Sequence, residues 1–211
     1  MNIFLSSKSF LVFFSLGWTF FSHSVAWNQE TSPIREGPKI MDARVAGIGE
    51  TVGDLEVTLL DGHKKRLSSL AAGRPLVIAI RDVGCPLSKK YGPRLAQIES
   101  SLSRQDVMLV YINLNDSETA ESMQKEIATY GFGAPYAHNP GGEVGRTLRV
   151  TRTTDVFLLS SQRTLLYRGA IDDQYGLGYT LPRPRRHYLL DAVQALLENR
   201  SQPIPATIAP G

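Results

Sequence analysis

Apolar residues run without a break from Leu76 to Ile80, and a second run, Val107 to Ile112, is dense in β-branched and large apolar side chains. Runs of this length predict strands covered on both faces, as in an α/β sheet. Between them, Leu87, Tyr91, Leu95, Ile98 and Leu102 recur at spacings of three and four, which places them on one stripe of a helix. Upstream, Leu55 to Leu59 alternates and Asp61-Gly62 signals a hairpin leading into His63 to Leu67. Downstream, Asp116 or Ser117 caps a helix with Ala120, Met123, Ile127 and Tyr130 on its apolar side, stopped by Gly131. Asp155 to Leu159, a Ser160-Ser161 turn and Thr164 to Gly169 predict an antiparallel hairpin. Leu189, Leu190, Val193, Leu196 and Leu197 mark a last helix. The order hairpin, strand, helix, strand, helix, hairpin, helix predicts an α/β domain with a mixed central sheet and helices on both faces.

The ends of the chain lack these periods. Residues 1–26 combine Lys8, an apolar stretch from Phe10 to Phe21 and small residues at Ser24-Val25-Ala26. That is the pattern of a signal peptide cut after Ala26, and a run of about 12 residues falls short of the roughly 20 that span a bilayer. No stable membrane anchor is therefore expected, and the mature protein is expected to be exported, periplasmic or extracellular. Residues 27–51 mix Pro33, Pro38, Gly37, Gly47 and Gly49 with charge and predict a flexible lead-in. The domain proper is expected over 52–199, followed by a Pro-rich, unpatterned tail over 200–211. Without residues 1–26, 22 basic side chains face 20 acidic ones, a balance that does not call for nucleic acid.

Cys85 is the one cysteine of the chain. It stands between the first apolar run and the helical stripe, so a buried strand delivers a thiol to a helix N-terminus. Pro86 suits the first helical position, which needs no N–H. Unpaired N–H groups, the helix dipole and the charges of Lys89 and Lys90 favour a thiolate there. The alternative is a buried, inert cysteine acting as a small hydrophobe. Its place at a junction beside Gly84 favours the reactive reading.

Cys85-Pro-Leu-Ser88, with Pro93 and Leu95 following, resembles the C-x-x-C…P-x-L pattern of thioredoxin-like proteins, with Ser88 in place of the second cysteine. The Cys-Pro step also resembles the redoxin (AhpC/TSA) group that includes the peroxiredoxins. Gly53-Asp54, Asp61-Gly62 and Leu67 to Leu70 match the hairpin that precedes the active strand in such redoxins. Where a peroxiredoxin has Pro and Thr seven and three residues before its cysteine, this chain has Ile78 and Asp82. The resemblance implies a thioredoxin-like fold over roughly Val52 to Asn199, with no bound cofactor. It also implies that the loop before the third core strand faces the cysteine. Aligning Phe157 to Leu159 with that strand puts Thr154 at the facing position, where Arg152 or Thr154 would stabilise a sulfur anion or hydrogen-bond an attacking substrate; the alternative is a loop whose threonines simply cap the strand. Tyr167-Arg-Gly-Ala-Ile-Asp-Asp173 is similar to a stretch of secreted bacterial redoxin-domain proteins.

The candidate catalytic residues are thus Cys85, Ser88, Thr154 and Arg152. Of Arg81 and Asp82, strand alternation lets only one face the site, and the pattern leaves open which. Asp172 and Asp173 lack a third acidic ligand at calcium-loop spacing. Arg183, Arg185, Arg186 and His187 suit either an anionic partner or a solvated helix start. Two functions follow. In the first, an enzyme, Cys85 attacks a disulfide or is oxidised by a peroxide. Ser88 cannot resolve the product, so the partners are a thiol or disulfide substrate, protein or small molecule, and an external reductant. In the second, a non-catalytic binding module or copper-chaperone-like protein holds a partner around Cys85, although His138 would make at best a weak second metal ligand.

Overall fold

The computed structural model describes residues 36–211, so the expected signal peptide and residues 27–35 lie outside the described residues. The chain forms β1 (Lys39–Ile40), β2 (Glu56–Thr58), β3 (Lys64–Arg66), α1 (Leu67–Ala71), β4 (Leu76–Arg81) and α2 (Pro86–Arg104). It continues through β5 (Met108–Asn113), α3 (Ala120–Tyr130), β6 (Tyr136–His138), α4 (Glu143–Thr147), β7 (Val156–Leu159) and β8 (Leu165–Gly169). Last come β9 (Tyr175–Gly176), β10 (Tyr179–Thr180), α5 (Tyr188–Leu197) and β11 (Thr207–Ile208).

The main sheet has the order β6-β5-β4-β7-β8. Strand β4 is parallel to β5 and antiparallel to β7, with Ile78 opposite Val110 on one side and Phe157 on the other. The three apolar runs are therefore neighbours in one mixed sheet. Every residue of β4 is buried, the condition under which an uninterrupted apolar run is favoured over an alternating one.

Alternation then sorts the side chains. Val77 and Ala79 face a core with Tyr91, Leu95, Ile98 and Leu102 of α2, Met123 of α3, and Leu189 and Val193 of α5. Ile78 and Ile80 face a second core with Val57 of β2, Leu67 of α1 and Val144 of α4. The hairpin β2–β3 pairs as expected, Val57 opposite Lys65. This is the thioredoxin-like fold, a mixed sheet with helices on both faces and an N-terminal hairpin.

Several local expectations change. The cap of α3 is Thr119, whose hydroxyl accepts from the Ser122 N–H at 3.2 Å, while Asn115 closes the preceding turn by accepting from the Ser117 N–H at 3.0 Å. Strand β6 and helix α4 are too short to show a period in sequence. The lead-in and tail differ most from expectation. From Glu36 onward the lead-in is ordered: β1 pairs with β11, and Gly49 and Val52 donate to the carbonyls of Leu165 and Arg163. The tail runs parallel beside β8, bridging Arg168 and Ala206. Buried Thr207 anchors it, its hydroxyl accepting from the Ala170 N–H at 2.9 Å and lying 3.0 Å from the Tyr167 hydroxyl. Proline does not prevent this, because at a sheet edge a missing N–H leaves no ladder bond broken.

Gly169, at φ 131°, is where the tail crosses β8, and a side chain there would overlap the Thr207 backbone carbonyl. Backbone strain in this region costs about 1–3 kcal/mol for a non-glycine residue before any clash is added. Gly169→Ala is expected to lower unfolding free energy by about 2 kcal/mol or more and to speed amide exchange in residues 206–208. Unchanged denaturant midpoint and exchange would show that the tail does not depend on this contact.

Candidate active site

Strand β4 ends at Arg81, and the next four residues make the turn into α2. Arg81 follows the odd-numbered face and is buried at 1% exposure. Its guanidinium pairs with buried Glu126 of α3, donates to the Ser88 carbonyl at 2.7 Å, and lies 5.6 Å from the centre of the Phe132 ring. The other oxygen of Glu126 accepts from the Tyr136 hydroxyl at 2.7 Å. Asp82 takes the opposite face and folds back on its own turn. One carboxylate oxygen accepts from the N–H groups of Gly84 at 2.8 Å and Cys85 at 3.0 Å, and the other from Asn115 at 3.2 Å. Glu118 reaches in from the loop before α3, accepting from the Val83 N–H at 2.9 Å and the Gly84 N–H at 2.5 Å. Two carboxylates thus hold the turn by its backbone donors, the usual way of satisfying groups that secondary structure leaves unpaired.

Cys85 is the N-cap of α2 and Pro86 its first residue, as the sequence predicts. The thiol is half-buried, and the Thr153 hydroxyl donates to its Sγ at 3.1 Å. Thr153 comes from the loop before β7, so the expected loop does face the cysteine, but one residue earlier than Thr154. Thr154 is buried and turns the other way, its hydroxyl donating to the Pro210 carbonyl of the tail. Ser88 is fully buried one turn into α2: its hydroxyl accepts from the Asp82 N–H at 3.2 Å and donates to the Thr153 carbonyl at 3.3 Å. Ser88 is therefore the tie between cysteine turn and threonine loop. Arg152 is exposed, and among the described residues its guanidinium has no ion-pair or hydrogen-bond partner. Lys90 leans over the Tyr175 ring at 5.8 Å.

The threonine loop is held by Asp155, which accepts from the N–H groups of Thr151 at 2.9 Å and Arg152 at 3.1 Å. Burial raises the Asp155 carboxyl above the ordinary aspartate value of 3.8, and those two N–H groups and the charges of Arg168 and Arg152 only partly offset it. No signal in the sequence could have separated Thr153 from Thr154, because what turns Thr154 away is a carbonyl 56 residues downstream.

The loop after β8 supports the far side of α2. Buried Asp172 accepts from the Tyr91 hydroxyl at 3.2 Å and from Arg94 Nε at 3.1 Å, and Arg94 also meets His187 at 3.0 Å. Burial, then the Asp172 charge, pushes the Tyr91 hydroxyl well above the usual tyrosine range. Asp173 accepts from the N–H groups of Arg185 and Arg186. The acidic pair is thus engaged in fixing a loop. His138 Nε2 lies 2.8 Å from the Asn115 carbonyl, and no group of three His, Cys, Asp or Glu residues among those described could hold a metal ion.

A mixed sheet of this topology with a thiol at the β4–α2 turn defines a thioredoxin-fold protein with a single candidate redox centre. The chain belongs to the AhpC/TSA family, which it matches over residues 48–198. Among solved structures it is similar to a hypothetical protein from Sinorhizobium meliloti, at 24% identity and TM-score 0.68, covering 81% of this chain and 94% of that one. An uncharacterized conserved protein from Geobacillus kaustophilus is similar at 23% identity and TM-score 0.68, over 83% and 94% of the two chains. A candidate thiol:disulfide interchange protein DsbE from Chlorobium tepidum follows at 17% identity and TM-score 0.57, over 71% and 97%. At these identities the structures speak for the fold alone. None of the curated proteins matches the chain.

Asp155 gives the site's scaffold a pH dependence. Because its folded-state value is raised, the native state holds this proton more tightly than the unfolded chain. The stability it contributes is fully present below about 3.8 and lost as pH rises through the raised value. In urea titrations over a pH series, the stability of the wild type relative to Asp155→Asn is expected to fall as pH rises through this window. A difference that stays flat or grows with pH would reject the assignment.

Proposed function

We propose that this protein is an exported thiol–disulfide oxidoreductase in which Cys85 is the nucleophile and an external thiol completes the cycle. The observation that carries the reading is the Thr153 hydroxyl donating at 3.1 Å to a half-buried sulfur at a helix N-cap. A donor aimed at sulfur stabilises the anion that attacks and, later, the anion that leaves. In the exchange, the Cys85 thiolate attacks one sulfur of a disulfide RSSR. The Sγ–S bond forms, the S–S bond breaks, and RS⁻ leaves with the electron pair. No second cysteine exists in the chain, so an external thiolate must release the mixed disulfide.

A disulfide fits better than a peroxide as the first substrate. Three residues before Cys85 stands Asp82, an acceptor whose oxygens are spent on the turn, where a peroxidase would need a donor for the peroxide oxygens. The binding-module reading draws on the same turn, because the N–H groups of Val83, Gly84 and Cys85 go to carboxylates and not to the sulfur. Reactivity of the native thiol separates the two.

Native protein is expected to accumulate one mixed disulfide with a small neutral disulfide, and Cys85→Ser none, by intact-mass measurement. A hydrogen bond to a charged partner contributes about 1.5–3 kcal/mol when buried. At a half-exposed sulfur the lower end applies, so Thr153→Val is expected to slow adduct formation about tenfold. A thiol that reacts only in denaturant would leave the binding module standing.

Export rests on residues 1–26, read as a signal peptide cut after Ala26. Among the described residues no helix is long and apolar enough to cross a membrane. Protein recovered from outside the cytoplasm is expected to begin at Trp27, and terminal sequencing that finds Met1 there would refute the cleavage.

A further inference from the structure

The peptide unit joining Thr153 to Thr154 is held from two sides. On one, the Ser88 hydroxyl donates to the Thr153 carbonyl at 3.3 Å, long against the roughly 2.7–2.8 Å usual for such bonds. On the other, Thr154, 2% exposed, gives its hydroxyl to the Pro210 carbonyl of the tail. Asp155 grips the loop farther back, at the N–H groups of Thr151 and Arg152. Ser88 and Asp155 thus fix backbone, whereas the tail comes up against the two hydroxyls themselves. A Cβ built on Gly211 would stand 3.3 Å from Thr153 Oγ1 and 3.5 Å from Thr154 Oγ1.

The tail is itself firmly seated. Thr207 and Ala209 are buried, the Thr207 hydroxyl accepts from the Ala170 N–H at 2.9 Å, and Ala209 belongs to the core shared with α2 and α5. Pro210 follows, and its ring holds φ at about −65°, which narrows the directions its carbonyl can take. A buried hydroxyl needs an acceptor. Without this one, Thr154 would turn toward another and carry the peptide unit that joins it to Thr153 along. These tail residues lie outside the span 48–198 matched to the AhpC/TSA family, so the contact is an addition to the matched core.

We propose that the tail is a positioning strap for the thiol: the Pro210 carbonyl, acting through Thr154, keeps the Thr153 hydroxyl on Cys85 Sγ. Its effect on the chemistry rests on the thiol-exchange reading above. Thr153 is the residue that touches the reacting atom, and Thr154 and Pro210 are positioning residues that act through it. A threonine hydroxyl has three staggered positions about χ1, and a hydrogen bond weakens steeply as its angle closes. A loosened Thr153 therefore donates to sulfur for only part of the time, and the thiol loses part of the roughly tenfold in rate that this donor supplies.

The test is the rate of mixed-disulfide formation with bis(2-hydroxyethyl) disulfide at neutral pH, followed by intact mass. Thr154→Val is expected to slow it about threefold, a part of the loss in Thr153→Val, and Thr154→Ser, which keeps the hydroxyl, to restore it. A chain ending at Ala209 should show the same loss, because the acceptor is gone. In a Thr153→Val background neither change should slow the reaction further, since changes acting through one contact do not add. Losses that multiply, a native rate in Thr154→Val, or a faster reaction in both altered chains overturn the proposal. Independently of reactivity, three-bond couplings to the Thr153 methyl carbon report its χ1. One rotamer is expected in the native protein and in Thr154→Ser, and an average over rotamers in Thr154→Val and the shortened chain. A single, unchanged rotamer in all of them overturns the strap. Averaging in a protein whose Cys85 forms no mixed disulfide upholds the strap and overturns only the exchange reading.

Discussion

One buried charge organises the end of the sheet where the thiol sits. Arg81 leaves β4 into the core and meets Glu126 of α3, the Ser88 carbonyl of α2 and the face of Phe132, while Glu126 reaches on to Tyr136 of β6. A strand, two helices, a loop and an edge strand therefore converge on a single ion pair. Removing one partner of such a pair typically costs about 3–5 kcal/mol, because the charge left behind has no water. The arrangement is specific as well as stabilising: Ser88 can keep its carbonyl on Arg81 only if α2 starts where it does, and that start sets Cys85.

Around this anchor, Asp82 and Glu118 hold the N–H groups of the turn, and Arg152 stands exposed on the loop before β7. The sulfur accepts from Thr153, on a loop that Asp155 and Ser88 hold in place. The carboxylates occupy the backbone donors of the turn, and the Thr153 hydroxyl is the donor that reaches the sulfur.

The outer segments add an ordered layer to the family core. Residues 205–208 lie along β8, with the Arg168 N–H donating to the Pro205 carbonyl at 3.2 Å and the Met41 N–H to Ala206 at 3.0 Å. Pro210 then receives the Thr154 hydroxyl, which ties the tail to the same loop that presents Thr153. The tail thereby closes the core behind β8 and is tied to the threonine loop.

Much of the fold was legible in the residues alone. Leu76 to Ile80, the stripe from Tyr91 to Leu102 and the hairpin of Asp155 to Gly169 became the elements they predict, because burying a continuous or periodic apolar face leaves the backbone few alternatives. Cys85 before Pro86 likewise marked the helix start by local stereochemistry. Tertiary structure decided what depends on distant partners. Alternation said that Arg81 and Asp82 must part, but only Glu126, 45 residues away, drew Arg81 inward. Thr153 and Thr154 are chemically equivalent in sequence, and Pro210 distinguished them. The lead-in and tail carry no period because each contributes a single short edge segment, whose hydrogen bonds are specified by the strand it meets and not by its own pattern of side chains.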